Sequence, residues 1–294
     1  MVKNSYDVAL VVGTRPNFIK AAPLVKYFES NNLKVLFIHT GQHWDKNLSG
    51  NIFTDLELRE PDINLETPLD GMNHQLSYMI KSLDTTLSKN SVPRVGVFGD
   101  VTSTLAAALV AKNRDLELFH VESGLRSRNM DMPEERNRLA VDTISDYLFT
   151  PSDDAVQNLL DENIQHEKIF NVGNIMIDTL KVNLDKILSS RTDVIDTFNI
   201  NQPYFVMTLH RPSNLTNEVL SGIFAALDSF KKEYQILIPA HPRLSQFIEK
   251  NDLQFENFLF IDPLPYVQFL GLVSGAELVL TDSGGLQEET TYLN

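Results

Sequence analysis

Carboxylates follow two neighbouring apolar runs in the first half of the chain. Asp100 comes one residue after the run Val95–Phe98, and Glu122 comes directly after the run Leu116–Val121. Both runs have the composition of buried parallel strands, whose carboxyl ends meet at the edge where open α/β sheets bind ligands. Acids at matching positions on consecutive strands indicate general acid–base catalysis. The alternative is that each acid only caps a helix, which is common at strand ends.

A third acid, Glu134, follows Pro133 at a predicted helix start. Proline suits the first helical positions, and acids suit the first turn. From the residues alone, Glu134 is interpreted as a first-turn acid with Arg138 as its partner one turn along. The arginines nearby are interpreted as a solvated face: Arg126, Arg128, Arg136 and Arg138.

Cationic residues recur where other predicted strands end. Gly13 begins the turn between the first strand and the first helix, and Arg15 and Lys20 after it can bind phosphate oxygens. The alternative is a turn glycine with two solvated cations. His210 and His241 each follow a strand of the second half, each with an arginine close behind. Their spacing is not that of metal ligands, so it favours contact with an anion.

Small residues end the last predicted strand and open a helix. In Ser283–Gly284–Gly285, exposed backbone N–H groups at the positive end of a helix would form a phosphate site. Glu289, one turn further, can accept hydrogen bonds from ribose hydroxyls. The alternative is a tight strand–helix turn. The GxGxxG fingerprint is absent, which argues against a nicotinamide enzyme.

Composition sets outer limits on the function. The 294 residues carry a net charge of −14, which disfavours general binding to nucleic acid or an anionic membrane. The chain has no cysteine, so disulfides, thiol nucleophiles and cysteine-based zinc sites are excluded. The sequence contains no long apolar run and no signal-peptide core at its beginning, and we therefore expect a cytoplasmic protein.

Strands and helices alternate in two series, which predicts two doubly wound α/β domains facing each other across a cleft. We expect a first domain over residues 1–173 and a second over residues 174–294. In the first domain the pattern predicts that a helix begins at Pro23. In the second, it predicts a helix over Met176–Leu188 and a loop over Ser189–Gln202.

With these residues assembled, the chain resembles the non-hydrolysing UDP-N-acetylglucosamine 2-epimerase family. The similarity lies in GTRPNFIKAAPLV, HTGQHWDKN, FGDVTSTLAAALVA, HVESGLRSRNMDMPEERNR, VGNIMIDTL, TLHRPSN, AHPR and TDSGGLQEE. The resemblance implies two Rossmann-like domains in a GT-B-like arrangement. It implies reversible conversion of UDP-GlcNAc to UDP-ManNAc by elimination of UDP to 2-acetamidoglucal and re-addition. It further implies a homodimer that supplies ManNAc for surface polysaccharide and uses no cofactor and no metal.

The resemblance also assigns roles to individual positions. The positions that match the family's catalytic residues are Asp100, Glu122, Glu134 and His210. Those that match its substrate-binding residues are Arg15, Lys20, Leu264, Phe269, Ser283, Gly284, Gly285 and Glu289. Those that resemble parts of a regulatory UDP-GlcNAc site are Gln42, His43, Gln75 and His241.

The sequence departs from the family where it stops, at Asn294. Family members continue with a strand, a nucleotide-contact segment and a further helix, so we expect a second domain truncated at its C-terminus, with an open sheet edge. Asn17 stands where many members have Glu. Alternative interpretations are a hydrolysing UDP-GlcNAc 2-epimerase, a GT-B glycosyltransferase, or a nucleotide-sugar-binding protein inactive for want of this segment.

Overall fold

The computed structural model describes residues 4–42, 52–68, 70–251, 253, 255 and 258–293. The chain divides into two compact units, Met1–Thr179 and Leu180–Asn294. Each unit is built of helices packed on a parallel sheet. The predicted α/β class and the predicted parallel sheets are therefore confirmed.

Unit 1 alternates strands with helices. Its strands are β1 (Asn4–Ser5), β2 (Val8–Val12), β3 (Val35–His39), β4 (Ile63–Asn64), β5 (Asn90–Ser91), β6 (Arg94–Phe98), β7 (Glu117–Val121), β8 (Tyr147–Thr150) and β9 (Ile169–Asn171). The longer α-helices within its described residues are α1 (Arg15–Ser30), α2 (Met72–Lys89), α3 (Thr102–Asn113), α4 (Pro133–Ile144), α5 (Asp153–Asp161) and α6 (Ile175–Thr197), which continues into unit 2.

The main sheet of unit 1 has one reversal of direction. In the described part of the chain its strand order is β4-β3-β2-β6-β7-β8-β9, with parallel pairing throughout. The chain moves outward from β2 to β4 and then returns to place β6 on the other side of β2. The β2–β6 junction is thus the topological switch point, where loops diverge and leave a crevice at the carboxyl ends of the strands.

The buried strands and helices of unit 1 have the sequences that burial requires. Every residue of β2 (VALVV) and β3 (VLFIH) is buried, as expected for strands covered on both faces. Helix α3 is rich in alanine, and Ala106, Ala107 and Ala111 are fully buried beside the sheet. Because alanine has a small side chain, the helix can lie close to the strands.

Unit 2 repeats the plan with fewer strands. Its strands are β10 (Tyr204–Thr208), β11 (Gln235–Pro239), β12 (Leu259–Ile261) and β13 (Leu278–Thr281), and its helices after α6 are α7 (Asn217–Asp228), α8 (Pro242–Lys250), α9 (Tyr266–Val273) and α10 (Gly284–Leu293). Among the described residues the parallel order is β12-β11-β10-β13. The switch point of this sheet therefore lies between β10 and β13, and β13 is an edge strand in this part of the chain.

Three helices differ from the sequence prediction. Helix α1 begins at Arg15 rather than Pro23, because Pro16 is tolerated in the first turn and Pro23 lies inside the helix. Helix α6 continues to Thr197, so the loop predicted from Ser189 is wrong over residues 189–197.

The predicted length of helix α6 is too short because the outer surface of the helix is polar. Leu180, Ile187 and Val194 are buried and are spaced two turns apart along the helix. They form a narrow apolar stripe, which is difficult to recognise in a mostly polar sequence. The third helix that differs is α8, which was not predicted at all.

None of the described helices is long and apolar enough to cross a lipid bilayer.

Two helical glycines of unit 2 give a matched test of this packing. A Cβ added at Gly271 in α9 would lie 2.3 Å from Ser190 Oγ and 2.9 Å from the Ile187 carbonyl oxygen. A Cβ at Gly222 in α7 would meet nothing within 4 Å. We expect Gly271→Ala to lower the free energy of unfolding by about 1–3 kcal/mol, because helix α9 must move away from α6. Gly222→Ala should raise it by about 0.5–1 kcal/mol. Urea unfolding of both variants checks this, and the same change in the free energy of unfolding at both positions would contradict the packing.

Candidate active site

The two strand-end carboxylates of unit 1 lie on adjacent strands. Strands β6 and β7 pair in parallel with Phe98 opposite Val121, so Asp100 and Glu122 follow equivalent ends of neighbouring strands. The Gly99 N–H donates to the Val121 carbonyl oxygen at 3.0 Å and holds the two strand ends together. Both acids thus lie at the carboxyl edge of the sheet, next to the switch point.

Each of these carboxylates is paired with a cation. Lys20 Nζ contacts Glu122 Oε2, and Arg138 Nη2 contacts Asp100 Oδ2. The four side chains retain between 10% and 20% of their exposure, so the pairs are neither sealed from solvent nor fully in it. The role predicted for Lys20 in holding a phosphate stays a prediction; its ammonium is already engaged with Glu122.

The partner predicted for Arg138 is wrong. Arg138 pairs with Asp100 and, at 3.3 Å, with Glu135, which is one residue beyond the predicted Glu134. In the described chain Glu134 makes no side-chain hydrogen bond or ion pair, and it is half-buried in the first turn of α4. The spacing rule that suggested Glu134 considers one helix alone, whereas Asp100 reaches Arg138 from the loop after β6.

Glu135 was not predicted to matter, and it is buried. Its carboxylate accepts hydrogen bonds from the Ser127 N–H at 2.9 Å, the Arg128 N–H at 2.8 Å and the Ser127 hydroxyl at 3.0 Å. Burial alone would raise the pKa of Glu135, but these hydrogen bonds outweigh it and lower the pKa. Glu135 therefore anchors the loop between Glu122 and α4. The only sequence signal was its place in the first turn.

The solvated face predicted for the arginines is also wrong in part. The Arg126 side chain is only 4% exposed and pairs with Asp142 at 2.8 Å and Glu162 at 2.6 Å. Burial acts to lower the pKa of Arg126, but these two carboxylates outweigh it and raise the pKa above its ordinary value. A run of arginines gives no sign of which members turn inward.

Asn17 connects the two sides of the switch point. Its Oδ1 accepts from the Gly13 N–H at 3.1 Å and the Thr14 N–H at 3.2 Å, while its Nδ2 donates to the Phe98 carbonyl oxygen at 3.1 Å. The loop after β2 is thereby fixed to the end of β6. In the sequence alone, Asn17 stands out only as a departure from the family pattern.

The groups gather around Gly99, which has a left-handed φ of +61°. A Cβ placed there would lie 3.4 Å from Lys20 Nζ and 4.0 Å from both Asn17 Nδ2 and Glu122 Oε1. These are ordinary van der Waals distances, so glycine at this position is required by the left-handed backbone conformation rather than by lack of space.

The residues predicted for a regulatory site are placed as follows. Gln42 is buried, and its Oε1 accepts from the Ser103 N–H at 2.9 Å at the start of α3. Gln75 is half-buried in the first turn of α2. His43 lies outside the described residues. His241, in unit 2, is the N-cap of α8, where its Nδ1 accepts from the Arg243 N–H at 3.2 Å.

The candidate site of unit 2 is an aspartate–histidine pair across its own switch point. His210 follows β10 and Asp282 follows β13, with Nδ1 and Oδ1 2.5 Å apart. Asp282 also accepts from the backbone N–H groups of His210 and Arg211, at 3.0 and 2.9 Å, and from Asn214 Nδ2 at 3.0 Å. Because a carboxylate only accepts, Nδ1 carries the hydrogen, and Nε2 is the nitrogen available to a ligand.

Asp282 was missed as a functional residue although it lies in the TDSGGLQEE segment. Burial alone would raise the pKa of Asp282, but the hydrogen bonds from Arg211, Asn214 and His210 outweigh it and lower the pKa. The ring of His241 lies 5.9 Å from that of His210, so the two predicted histidines are brought together.

The remaining predicted residues are distributed over both units. Helix α10 begins at Gly284, and the Ser283 hydroxyl accepts from the Leu286 N–H at 3.4 Å, which leaves a small-residue helix start beside Asp282. Glu289 is buried and accepts from the Tyr266 hydroxyl at 2.8 Å. Four further predicted substrate-binding residues lie in or near helices. Arg15 is the first residue of α1, and Leu264 lies two residues before α9 begins. Phe269 lies within α9, and Gly285 is the second residue of α10.

A cavity of about 660 Å³ lies in unit 1 and is lined mainly by apolar side chains. Phe119, Val121 and Phe149 contribute from the sheet, and Leu24 and Phe28 from α1. Glu122 also lines this cavity, but Asp100, Lys20 and Arg138 do not. The carboxylate–cation pairs therefore do not converge on it, and we do not assign the candidate site to it.

Together, unit 1 offers paired carboxylates suited to moving protons, and unit 2 offers an oriented imidazole beside a helix N-terminus, suited to an anion. Among the described residues no group of three or more side chains is arranged to hold a metal ion.

Comparison with known proteins gives a consistent result. The family model for UDP-N-acetylglucosamine 2-epimerase matches residues 26–294. A UDP-N-acetylglucosamine 2-epimerase of Methanococcus maripaludis is 39% identical over 98% of this chain and 81% of its own length. A UDP-2,3-diacetamido-2,3-dideoxy-D-glucuronate 2-epimerase of Pseudomonas aeruginosa is 35% identical over 97% of this chain and 80% of its own. The crystal structure of the Methanocaldococcus jannaschii UDP-GlcNAc 2-epimerase in complex with UDP-GlcNAc and UDP has a TM-score of 0.89 at 37% identity, covering 98% of this chain and 82% of that one.

The lowered pKa of Asp282 predicts a pH-dependent contribution to stability. A carboxyl whose folded pKa lies below its unfolded value of about 3.9 stabilises the fold above that value, and the contribution is lost as pH falls through the folded pKa. We expect Asp282→Asn to lower the free energy of unfolding by about 1–3 kcal/mol at neutral pH. The difference from the parent protein should shrink towards pH 3, as measured by urea unfolding at both pH values.

Asp262→Asn is the matched control, because Asp262 is exposed and makes no side-chain bond within the described residues. It should leave the free energy of unfolding unchanged. A loss in Asp282→Asn that is the same at acid and neutral pH would contradict the ionic role of Asp282.

Proposed function

The chain belongs to the UDP-N-acetylglucosamine 2-epimerase family, and we propose that it interconverts UDP-GlcNAc and UDP-ManNAc. The observation that carries the proposal is the placement of Asp100 and Glu122, each with its cation, on adjacent strand ends next to the switch point of unit 1. Family membership rests on the family model and on relatives that are similar over almost all of this chain. Nothing in the comparisons favours hydrolysis or glycosyl transfer.

The reaction we propose is an elimination followed by an addition. A carboxylate removes the proton from C2 of the sugar while the bond from C1 to the UDP oxygen breaks, which gives 2-acetamidoglucal and UDP. UDP then bonds to C1 again, and a proton is delivered to the opposite face of C2. One proton leaves and one returns, so no oxidant, reductant or water is consumed.

The catalytic residues in this proposal are Asp100, Glu122, Glu134 and His210. The proton at C2 is weakly acidic, so its removal requires a carboxylate held in a fixed direction. Asp100 and Glu122 meet this need because Arg138 and Lys20 fix their side chains. Two faces of C2 require two proton-handling groups, which a pair of strand-end acids can supply.

The departing UDP requires cations and N–H donors. Asp282 orients His210 so that its Nε2 is available to a phosphate oxygen, and the start of α10 presents backbone N–H groups beside it. We assign diphosphate contact to Arg15, Lys20, Ser283, Gly284 and Gly285, uracil contact to Leu264 and Phe269, and ribose contact to Glu289.

We infer a cytoplasmic homodimer whose product supplies surface polysaccharide synthesis. A regulatory UDP-GlcNAc site would use Gln42, His43, Gln75 and His241. The similarity to the Pseudomonas aeruginosa relative supports a second candidate substrate, a UDP-diacetamido uronic acid sugar.

Incubation with UDP-GlcNAc in deuterated water tests the reaction. We expect deuterium at C2 and the appearance of UDP-ManNAc, both followed by NMR. Asp100→Asn and Glu122→Gln should each lower turnover by about 10²–10⁴-fold, because each removes a proton-handling group. If a variant still exchanges the C2 hydrogen of UDP-GlcNAc but forms no UDP-ManNAc, the carboxylate that remains handles the proton on the UDP-GlcNAc face of C2.

Glu117→Gln is the matched control. Glu117 begins the same strand that Glu122 follows, and it pairs with Arg94 at 3.3 Å on the surface. Its replacement should leave turnover unchanged. A parallel incubation with the UDP-diacetamido uronic acid sugar compares the two candidate substrates. Retention of the original C2 hydrogen in all product formed would rule out the elimination.

A further inference from the structure

His120 is a fully buried histidine that the proposed reaction does not use. It lies inside β7, two residues before Glu122, and neither ring nitrogen reaches solvent. Its Nε2 lies 2.7 Å from the Gly99 carbonyl oxygen, and its Nδ1 lies 2.6 Å from Asp142 Oδ1. Both partners are acceptors, so both ring nitrogens act as donors in this arrangement. The side chain therefore connects the end of β6 to helix α4.

Asp142 extends the connection to the other loop. Its Oδ2 accepts from the Gly124 N–H at 3.1 Å and pairs with Arg126 at 2.8 Å. Burial alone would raise the pKa of Asp142, but the charges and hydrogen bonds of His120 and Arg126 outweigh it and lower the pKa. Asp142 thus remains a carboxylate although it is almost completely buried, and it holds two groups of the segment after Glu122.

The backbone on both sides of these contacts has a left-handed conformation at three residues. Gly99, Glu122 and Gly124 have φ values of +61°, +68° and +79°. For a residue with a side chain, such as Glu122, a left-handed conformation is uncommon and persists only where its surroundings fix it. Gly99 immediately precedes Asp100, and Gly124 follows Glu122 by two residues. A single network therefore reaches the loops of both proposed catalytic acids.

We propose that His120, Asp142 and Arg126 form a positioning unit that fixes the directions of Asp100 and Glu122 towards the substrate. The proposal rests on the proposed epimerase function. None of the three residues is required to touch the substrate. His120 acts on Asp100 through the Gly99 carbonyl, and Asp142 and Arg126 act on Glu122 through the segment that follows it.

The competing explanation is that these residues form a buried ionic group that only stabilises unit 1. Removing one partner of such a group is destabilising in any protein. The chain offers a matched comparison at the opposite end of β7. There Asp146 accepts from the Leu118 N–H at 2.8 Å and from Lys112 Nζ at 2.8 Å. Asp146 therefore makes the same kinds of bond as Asp142, far from the carboxyl edge of the sheet.

The experiment compares Asp142→Asn with Asp146→Asn. Both variants should lose stability in urea unfolding. We expect kcat for UDP-GlcNAc to fall about tenfold to a hundredfold in Asp142→Asn alone, because small misplacement of catalytic groups has effects of this size. Its KM should change by less than about twofold, since phosphate contacts are assigned elsewhere. Asp146→Asn should retain the parent kcat.

A second variant covers the case in which Asp142→Asn does not fold. His120→Gln keeps one amide donor that can reach the Gly99 carbonyl but cannot serve Asp142 at the same time. It should lower kcat about threefold to tenfold relative to the parent protein, with KM unchanged, and a parent kcat in folded His120→Gln would overturn the positioning role. Near-ultraviolet circular dichroism confirms that each variant is folded at the assay temperature.

The outcomes separate this inference from the proposed function. If the parent protein does not convert UDP-GlcNAc, the proposed function fails before any variant is considered. If the parent is active and both aspartate variants lose stability while keeping the parent kcat, the positioning role is overturned and the group is structural only. Equal falls of kcat in Asp142→Asn and Asp146→Asn would overturn it as well.

Discussion

The order of strands in each sheet determines where the chemistry of this protein can lie. In unit 1 the chain reverses between β2 and β6, and in unit 2 it reverses between β10 and β13. At each reversal two loops diverge at the carboxyl ends of parallel strands, and backbone N–H groups and polar side chains can occupy the crevice without disturbing a buried sheet. Lys20 with Glu122, and His210 with Asp282, are the pairs found at these two places.

The second constraint is electrostatic. The chain has a net charge of −14, yet several of its cationic side chains are mostly buried and form ion pairs with particular carboxylates. Lys20, Arg126 and Arg138 are each mostly buried against acids of unit 1. Such pairs contribute little net stability, because desolvating both charges offsets their attraction. What they provide is a fixed direction for each carboxylate, which the proposed proton transfer at C2 requires of Asp100 and Glu122.

The sequence predicted the positions of the strand-end acids and histidines well, because each follows an apolar run that only a buried strand explains. It did not predict their partners. Arg138 was assigned to Glu134 by helix spacing, but its partners are Asp100, brought near by sheet pairing, and Glu135. Asp282 and Asp142 were passed over because a single aspartate carries no local pattern. The end of α6 was missed because its buried stripe is narrow and its surface polar.

The contacts of Asn17 have a consequence for how the protein is made. Its hydrogen bond to Phe98 joins residues 81 positions apart, and that between Thr179 and Ile19 joins residues 160 apart. During synthesis, β2 therefore leaves the ribosome well before its neighbour β6 exists, a delay on the order of several seconds at ordinary elongation rates. Through that interval β2 has one side without its native partner strand, and an apolar edge of this kind can pair with another chain. Contacts between residues so far apart in the sequence also slow folding.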